Sequence, residues 1–227
     1  MWTVRLTENL AVEELIMLYK GREVFQPYIP KKHKRFGIKI FKLCCSVVYT
    51  YMSVYLGKQR QHAAAQITAT HGTVLQLKIF RDSYFTSPAL FDDLFQWAIS
   101  ACGAVHHGRH GMLWDTGPRY RRMKRGDIAT WVRGNIRAVR WKDRRDMYIL
   151  TNMHTPPVEG NFTQESGQAT QPRAVEDYYA YMRFVDKSVR MVNSYGIPRR
   201  TWHWTKKLFF SPNRHEHSKC ISYTQVM

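Results

Sequence analysis

Apolar positions in this chain come in short blocks separated by polar, basic stretches. LAVEELIM (10–17) is an apolar run containing Glu13 and Glu14, and it predicts a buried strand rather than a helix. A basic turn with Pro27 and Pro30 follows. FGIKIFKLC (36–44) and VVYTYMSVYL (47–56) then predict two tightly joined strands. In the second, Val48, Met52, Val54 and Leu56 share one face while Val47, Tyr49, Tyr51 and Tyr55 share the other, so both faces are expected to be covered. Residues 59–71 are polar and Ala-rich, a weak helix or a loop, and VLQLKIF (74–80) is a further strand that delivers Asp82 at its end.

Ser87-Pro88 marks a helix start, with Ser at the N-cap and Pro at the first helical position. Leu90, Phe91, Leu94, Trp97 and Ala98 follow at helical spacing, with Asp92 and Asp93 on the wet side. A strand is expected over 100–105. DIATWVR (127–133), RAVRWK (137–142) and DMYILT (146–151) predict a small antiparallel sheet, turned at Gly134-Asn135 and at Asp143-Arg144-Arg145. Residues 156–173 form a polar connector whose sequon, Asn161-Phe162-Thr163, carries meaning only in a secreted protein. Val175, Tyr178, Met182, Val185, Val189 and Val192 then recur at steps of three and four, predicting an amphipathic helix with Asp186 at the edge of its apolar stripe. A second helix is expected over 200–210, and no internal repeat is visible.

The 227 residues are enough for one large domain or two small ones, and 14% aromatic content excludes a disordered chain. No run of 18 apolar residues occurs, so a membrane span is not expected, and MWTVRLTENL lacks the layout of a signal peptide. Four Cys, two of them adjacent at Cys44 and Cys45, make a poor disulfide framework; Cys44, Cys45 and Cys102 are expected in the core. The net charge of +18 points to a polyanionic partner. Arg119 to Arg145 holds eleven Lys/Arg and two Asp, a net +9 and half of the total. Lys31-Lys32-His33-Lys34-Arg35 and the stretch from Arg199 to Lys207, with Trp202 and Trp204, are further clusters. Cations interleaved with flat rings suit nucleic acid, because the cations neutralise phosphates while the rings stack on bases. A solvated basic face is the plainer reading.

Three carboxylates sit where solubility does not explain them: Glu13 in an apolar strand, Asp82 at a strand end and Asp186 beside a helical seam. Singly, each reads as a structural acid. As a set, they suit chemistry in which acids from separate elements hold two divalent metal ions. His215, His217 and Cys220 in the polar tail offer three ligands where a structural zinc site needs four, so no zinc is expected.

LAVEELIMLYKGREVFQPYIPKKHKRFGIKIFKLC (10–44), LGK (56–58), RDSYFTS (81–87), MKRGDIATWVRGNIRAVRWKDRRDMYILTNMHTPP (123–157), EDYYAYMRFVD (176–186) and RRTWHWTKKLFF (199–210) together resemble the piggyBac-type transposases and transposase-derived proteins. The resemblance runs through nearly the whole chain, with its motifs in the family's order. It implies an α/β fold, a ribonuclease-H-like mixed sheet flanked by helices, with a small β-rich insertion. The implied domains are 1–105 as the first part of the core, 106–157 as the basic insertion, 158–173 as a connector and 174–227 as the helices that complete the core. It also implies excision and reinsertion of DNA at TTAA sites, using three Asp that hold divalent metal. The three positions fall on Glu13, Asp82 and Asp186, so magnesium or manganese is the expected cofactor of an active form.

The departures weigh on activity. Glu13 stands where the family has Asp, and its extra methylene displaces the carboxylate by about 1–1.5 Å. A misplacement of about 1 Å costs on the order of 100-fold in rate. Arg183-Phe184 replaces a Gly-Gly pair, Val189 replaces an Asp, and Ser83 stands where Asn is usual. The spacer between Glu13 and Asp82 looks short for the family, and the family's N-terminal region and cysteine-rich zinc module are not expected in this sequence. The expected function is a nuclear, DNA-binding protein derived from a piggyBac element, with strand-transfer activity impaired or lost. The alternatives are an active metal-dependent transposase or nuclease, and a non-catalytic interaction remnant or decayed fragment. The DNA-binding residues implied are Lys31, Lys32, Lys34, Arg35, Arg119, Arg121, Arg122, Lys124, Arg125, Arg199, Arg200, Lys206 and Lys207. DNA is the partner, no membrane is expected, and homodimerisation is left open.

Overall fold

The computed structural model describes residues 9–23, 28, 36–45, 50–55, 77–112, 122–161, 170–195, 201 and 203–206. The described residues fall into two compact units, one within 11–75 and 183–227, the other within 76–182 together with Asn9 and Leu10.

The first unit contains β1 (Asn9–Leu18) from Ala11 onward, β2 (Gly37–Cys45) and β3 (Thr50–Val54), in the order β3-β2-β1. β2 and β3 run antiparallel with Ile40 opposite Val54 and Leu43 opposite Tyr51. Strand alternation sends Ile38 and Ile40 one way, into a cluster with Met17 and Tyr19, and Lys39 and Phe41 the other way. Trp204 packs at the margin of that cluster beside Leu15 and Val54. Trp204, one of the two rings in the basic stretch from Arg199 to Lys207, is thus half-buried in apolar packing. The two lysines that interrupt the apolar stretch are themselves buried, Lys39 at 7% and Lys42 at 2% exposure. Lys39 is neutralised by Glu14, 2.6 Å away, and its ammonium also lies 5.3 Å from the Phe41 ring centre.

The second unit holds β4 (Lys78–Arg81), α1 (Pro88–Gln96), β5 (Ser100–Ala104), β6 (Asp127–Arg133), β7 (Ile136–Lys142), β8 (Asp146–Thr151), β9 (Gly160–Asn161) and the part of α2 (Arg173–Tyr195) up to Met182. Its strand order is β4-β5-β8-β7-β6-β9. Only β4 and β5 pair in parallel, with α1 as their connection, and β5-β8, β8-β7, β7-β6 and β6-β9 are antiparallel. The sheet is therefore mixed. Phe80 and Cys102 are register partners, so both face the same side, where Phe80 stacks on Tyr181 of α2 at 4.3 Å and Cys102 meets the Ala174 carbonyl at 3.6 Å. Such a ring pair contributes about 0.5–1.5 kcal/mol beyond its buried area.

Ser87 caps α1 as its sequence predicts, its hydroxyl accepting from the Leu90 amide, an arrangement worth about 1 kcal/mol. Phe91 and Leu94 are fully buried, but the predicted stripe breaks after them. Ala98 adopts a left-handed conformation at φ 55°, and Ile99 donates back to the Leu94 carbonyl. That closing turn ends the helix at Gln96 and leaves Trp97 46% exposed.

The three predicted basic strands form with the predicted boundaries to within one residue, and Gly134 supplies the left-handed turn between the first two. β9 is an addition. Two residues inside a polar connector carry no alternation to reveal a strand, yet Asn161 pairs with Asp127 and Gly160 with Ile128. The predicted late helix is present, with Val175, Tyr178 and Val185 buried, but Asp186 is exposed and not at the seam's buried edge. At about 100° per residue it falls one step past Val185, enough to turn it to solvent. Cys44 and Cys102 are buried, as expected. Residues 59–71, most of 200–210 and the polar tail with His215, His217 and Cys220 lie outside the described residues.

Candidate functional site

β4 ends at Arg81, and the chain turns at once through Asp82 to Thr86. The turn is closed by the Asp82 carbonyl, which accepts from the Phe85 amide at 3.1 Å and from the Thr86 hydroxyl at 3.0 Å. Gly103, opposite Arg81 on β5, makes this possible: a Cβ there would strike the Thr86 side chain and the Arg81 carbonyl. From the loop after β5, Arg109 donates through Nη2 to the carbonyls of Ser83 and Tyr84 and so clamps the turn from outside. Among the described residues nothing hydrogen-bonds or ion-pairs with the half-buried Asp82 carboxylate. Arg81 is 5% exposed, its Nε and Nη1 lack hydrogen-bond partners among the described residues, and its guanidinium lies 5.6 Å from the Phe85 ring centre. Burial pulls its pKa down to about 10.

The other two acids belong to the other unit. Glu13 and Glu14 are consecutive on β1 and half-buried, so their side chains point to opposite faces. Glu14 is committed to Lys39. Asp186 sits exposed on α2. Glu13 and Asp186 thus fall in the first unit and Asp82 in the second. Within each unit, the described residues contain no group of three or more His, Cys, Asp or Glu suited to a metal ion.

The basic strands divide into two kinds of cation. Along their bodies, Arg133 pairs with Asp92 at 3.0 Å, while Arg140 and Lys142 share Asp146 at 3.2 and 3.3 Å. Arg137 donates to the carbonyls of Asn135 and Asn152. At one end of the sheet the situation differs. The segment before β6 and the β7–β8 turn are tied together by Gly126 donating to the Lys142 carbonyl at 2.7 Å and by Arg125 pairing with Asp143 at 2.9 Å. Asp127 accepts from the Lys124 amide, and Asn161 donates to Asp127 and to the Arg125 carbonyl. The sequon residue is thereby a brace for this corner. Arg122, Lys124, Arg144 and Arg145 are all exposed there, and among the described residues none of the four makes an ion pair. Trp141, which the sequence interleaves with these cations, is 3% exposed and belongs to the core. Of the other predicted DNA-binding residues, Lys206 is exposed, and Lys31, Lys32, Lys34, Arg35, Arg119, Arg121, Arg199, Arg200 and Lys207 lie outside the described residues.

One polar chain has no counterpart in the sequence reading. The Thr151 hydroxyl lies 2.8 Å from His154 Nδ1, His154 Nε2 lies 3.0 Å from Asp177, and Asp177 also takes Arg173 Nε at 3.1 Å. The order hydroxyl, imidazole, carboxylate matches a nucleophilic triad, but Thr151 is 1% exposed and its oxygen also accepts from the amides of Met153 and His154. The network is a structural tie between the end of β8 and the start of α2. The spacing Thr151-x-x-His154 was its only trace in the sequence.

A family model described as Transposase IS4 matches residues 3–211. The chain belongs to this piggyBac-type transposase family. Its fold agrees with that assignment. A solved structure described as a cryo-EM structure of a piggyBac transposase synaptic complex with hairpin DNA matches with a TM-score of 0.70 at 22% identity. The match covers 90% of this chain and 44% of that one, so this transposase-family chain spans less than half the length of the protein it resembles. The mixed sheet is of the ribonuclease-H-like kind found in that fold.

Proposed function

We propose that this piggyBac-family protein binds duplex DNA through the basic corner formed by Arg122, Lys124, Arg125, Arg144 and Arg145, and that its strand-transfer chemistry is impaired. The observation that carries the first half is the division of the cations. Arg133, Arg140 and Lys142 on the strand bodies are neutralised by carboxylates, and Arg137 is engaged by carbonyls, whereas Arg122, Lys124, Arg144 and Arg145 are exposed, unpaired among the described residues and gathered by a braced pair of turns. A rigid cluster of unneutralised cations on a chain of net charge +18 is what a phosphate backbone recognises. The solved synaptic complex with DNA supports the same reading. The proposed site of action is the nucleus.

The second half rests on the acids. Asp82 suits a hard divalent ion, because its carboxylate is half-buried and, among the described residues, unengaged on a clamped turn. The family resemblance assigns the same metal-holding role to Glu13 and Asp186, with magnesium or manganese as the ion. Such a metal would supply charge stabilisation at the attacking and leaving oxygens of a phosphodiester. Against activity stand the longer Glu13 side chain, Arg183-Phe184 in place of paired glycines, and Val189 in place of an acid. Asp82 alone favours the second reading, an active enzyme.

Titrating a labelled duplex with the full chain at several salt concentrations tests the binding claim. Log affinity falls by about 0.9 per phosphate contacted for each tenfold rise in salt, so a slope of several is expected. A plasmid excision assay with Asp82→Ala as control tests the chemistry. Metal-dependent cleavage abolished by that change would reject impairment.

A further inference from the structure

We propose that Arg81 is a phosphate-binding residue, its guanidinium taking oxygens of a phosphate group of the bound DNA. Arg81 is the last residue of β4, and among the described residues no acid pairs with it. Burial is the single cause of its lowered pKa, and at about 10 the group is still protonated at neutral pH. Taking a cation out of water without a counter-charge is costly, so a fold that keeps one there gains from an anion that arrives later. The three nitrogens are not equivalent. Nε and Nη1 are enclosed and without hydrogen-bond partners among the described residues, whereas Nη2 is not enclosed. Nη2 belongs to both forks of the planar group, with Nε on one side and Nη1 on the other. An oxyanion seated at Nη2 therefore reaches an unspent donor with its second oxygen, the bidentate geometry that arginine makes with phosphate. The turn after β4 is flanked by another such donor. Arg109, which holds the Ser83 and Tyr84 carbonyls through Nη2, also has its Nε enclosed and without a partner among the described residues. Buried donors in folded proteins are nearly always satisfied, so two arginines with unspent donors around one five-residue turn mark a place completed by a ligand. That turn stands at the carboxyl ends of the parallel strands β4 and β5, the end at which open α/β sheets take their ligands. It also carries Asp82, where the strand-transfer reading places the reacting phosphodiester. The inference rests on the DNA-binding reading for the source of the phosphate.

The test has two arms, both with the full chain and with Arg81→Met, which keeps length and apolar bulk but removes the charge. In the first, the thermal unfolding midpoint is followed as inorganic phosphate replaces chloride at constant ionic strength. Phosphate at ten times its dissociation constant is expected to raise the midpoint of the unaltered chain by about 3–6 °C, and Arg81→Met should lose that increment. In the second, labelled duplex is titrated at several salt concentrations. Loss of one phosphate contact makes the logarithmic slope of Arg81→Met shallower by about 0.9, with affinity near 0.1 M salt about tenfold lower. Arg81→Gln, which keeps a polar head without the charge, carries the same comparison if the Met variant fails to fold. A phosphate increment that persists in the variants, or is absent from the unaltered chain, overturns the inference. An Arg81-dependent increment with an unchanged duplex slope upholds the oxyanion site and overturns DNA as its source. Absence of duplex binding alongside an Arg81-dependent increment overturns the proposed function and leaves the oxyanion site standing.

Discussion

In the three-stranded unit the buried cation Lys39 has a carboxylate 2.6 Å away, whereas in the six-stranded unit the equally buried Arg81 leaves two N–H groups without partners among the described residues. The same contrast recurs at the surface of the second unit, where Arg133, Arg140 and Lys142 face acids, while Arg122, Lys124, Arg144 and Arg145 at the corner face none among the described residues. A cation matched by an acid is part of the architecture, since its charge is spent inside the molecule. An unmatched one is retained against a cost, and among the described residues the unmatched cations include Arg81 beside Asp82 and the four at the braced corner. At the surface, charge pairing thus separates the residues that build the fold from those available to a phosphate-bearing partner.

The largest effect expected on this view comes from breaking the matched buried pair. Glu14→Ala leaves the Lys39 ammonium buried without its carboxylate and should cost about 3–5 kcal/mol of stability, read by chemical denaturation. A cost under about 1 kcal/mol would mean that Lys39 is readily hydrated there and that pairing does not mark structural cations. Arg81→Met has the opposite sign. It removes an unmatched buried charge and two orphan donors, at the loss of the contact with Phe85, and should stabilise the chain by about 1–3 kcal/mol in the same assay. Destabilisation would show that the guanidinium is a structural element after all. The smallest effect concerns the strand bodies. Asp146→Asn releases Arg140 and Lys142 from neutralisation and should tighten duplex binding about threefold to tenfold at low salt, measured by fluorescence anisotropy.

Much of this was legible in the sequence where periodicity is strong. The three basic strands, β1 and α2 appear because alternation and helical spacing run for six residues or more, and the Ser87 cap because its chemistry is local. Asp82 falls just past the end of β4, where the apolar run VLQLKIF places it. What was not legible depends on contacts between distant residues. Nothing near Trp204 or Trp141 distinguishes a core ring from a stacking ring, because both follow the same cation-rich spelling. The exposure of Trp97 depends on the left-handed Ala98, and the bracing of the basic corner depends on Asn161, thirty-six residues away from Arg125. The choice among eleven cations between Arg119 and Arg145 needed the positions of Asp92, Asp143 and Asp146 in space.

The salt dependence of duplex binding, measured in parallel for the unaltered chain and for a variant with Arg122, Lys124, Arg144 and Arg145 all changed to Ala, tests the account most directly. If each of these side chains meets one phosphate, the variant's logarithmic slope is shallower by about 3.6. Its affinity near 0.1 M salt is then lower on the order of 1000-fold. An unchanged slope in the variant, or a slope near zero in the unaltered chain, would contradict the claim that the unmatched cations form the DNA-binding surface.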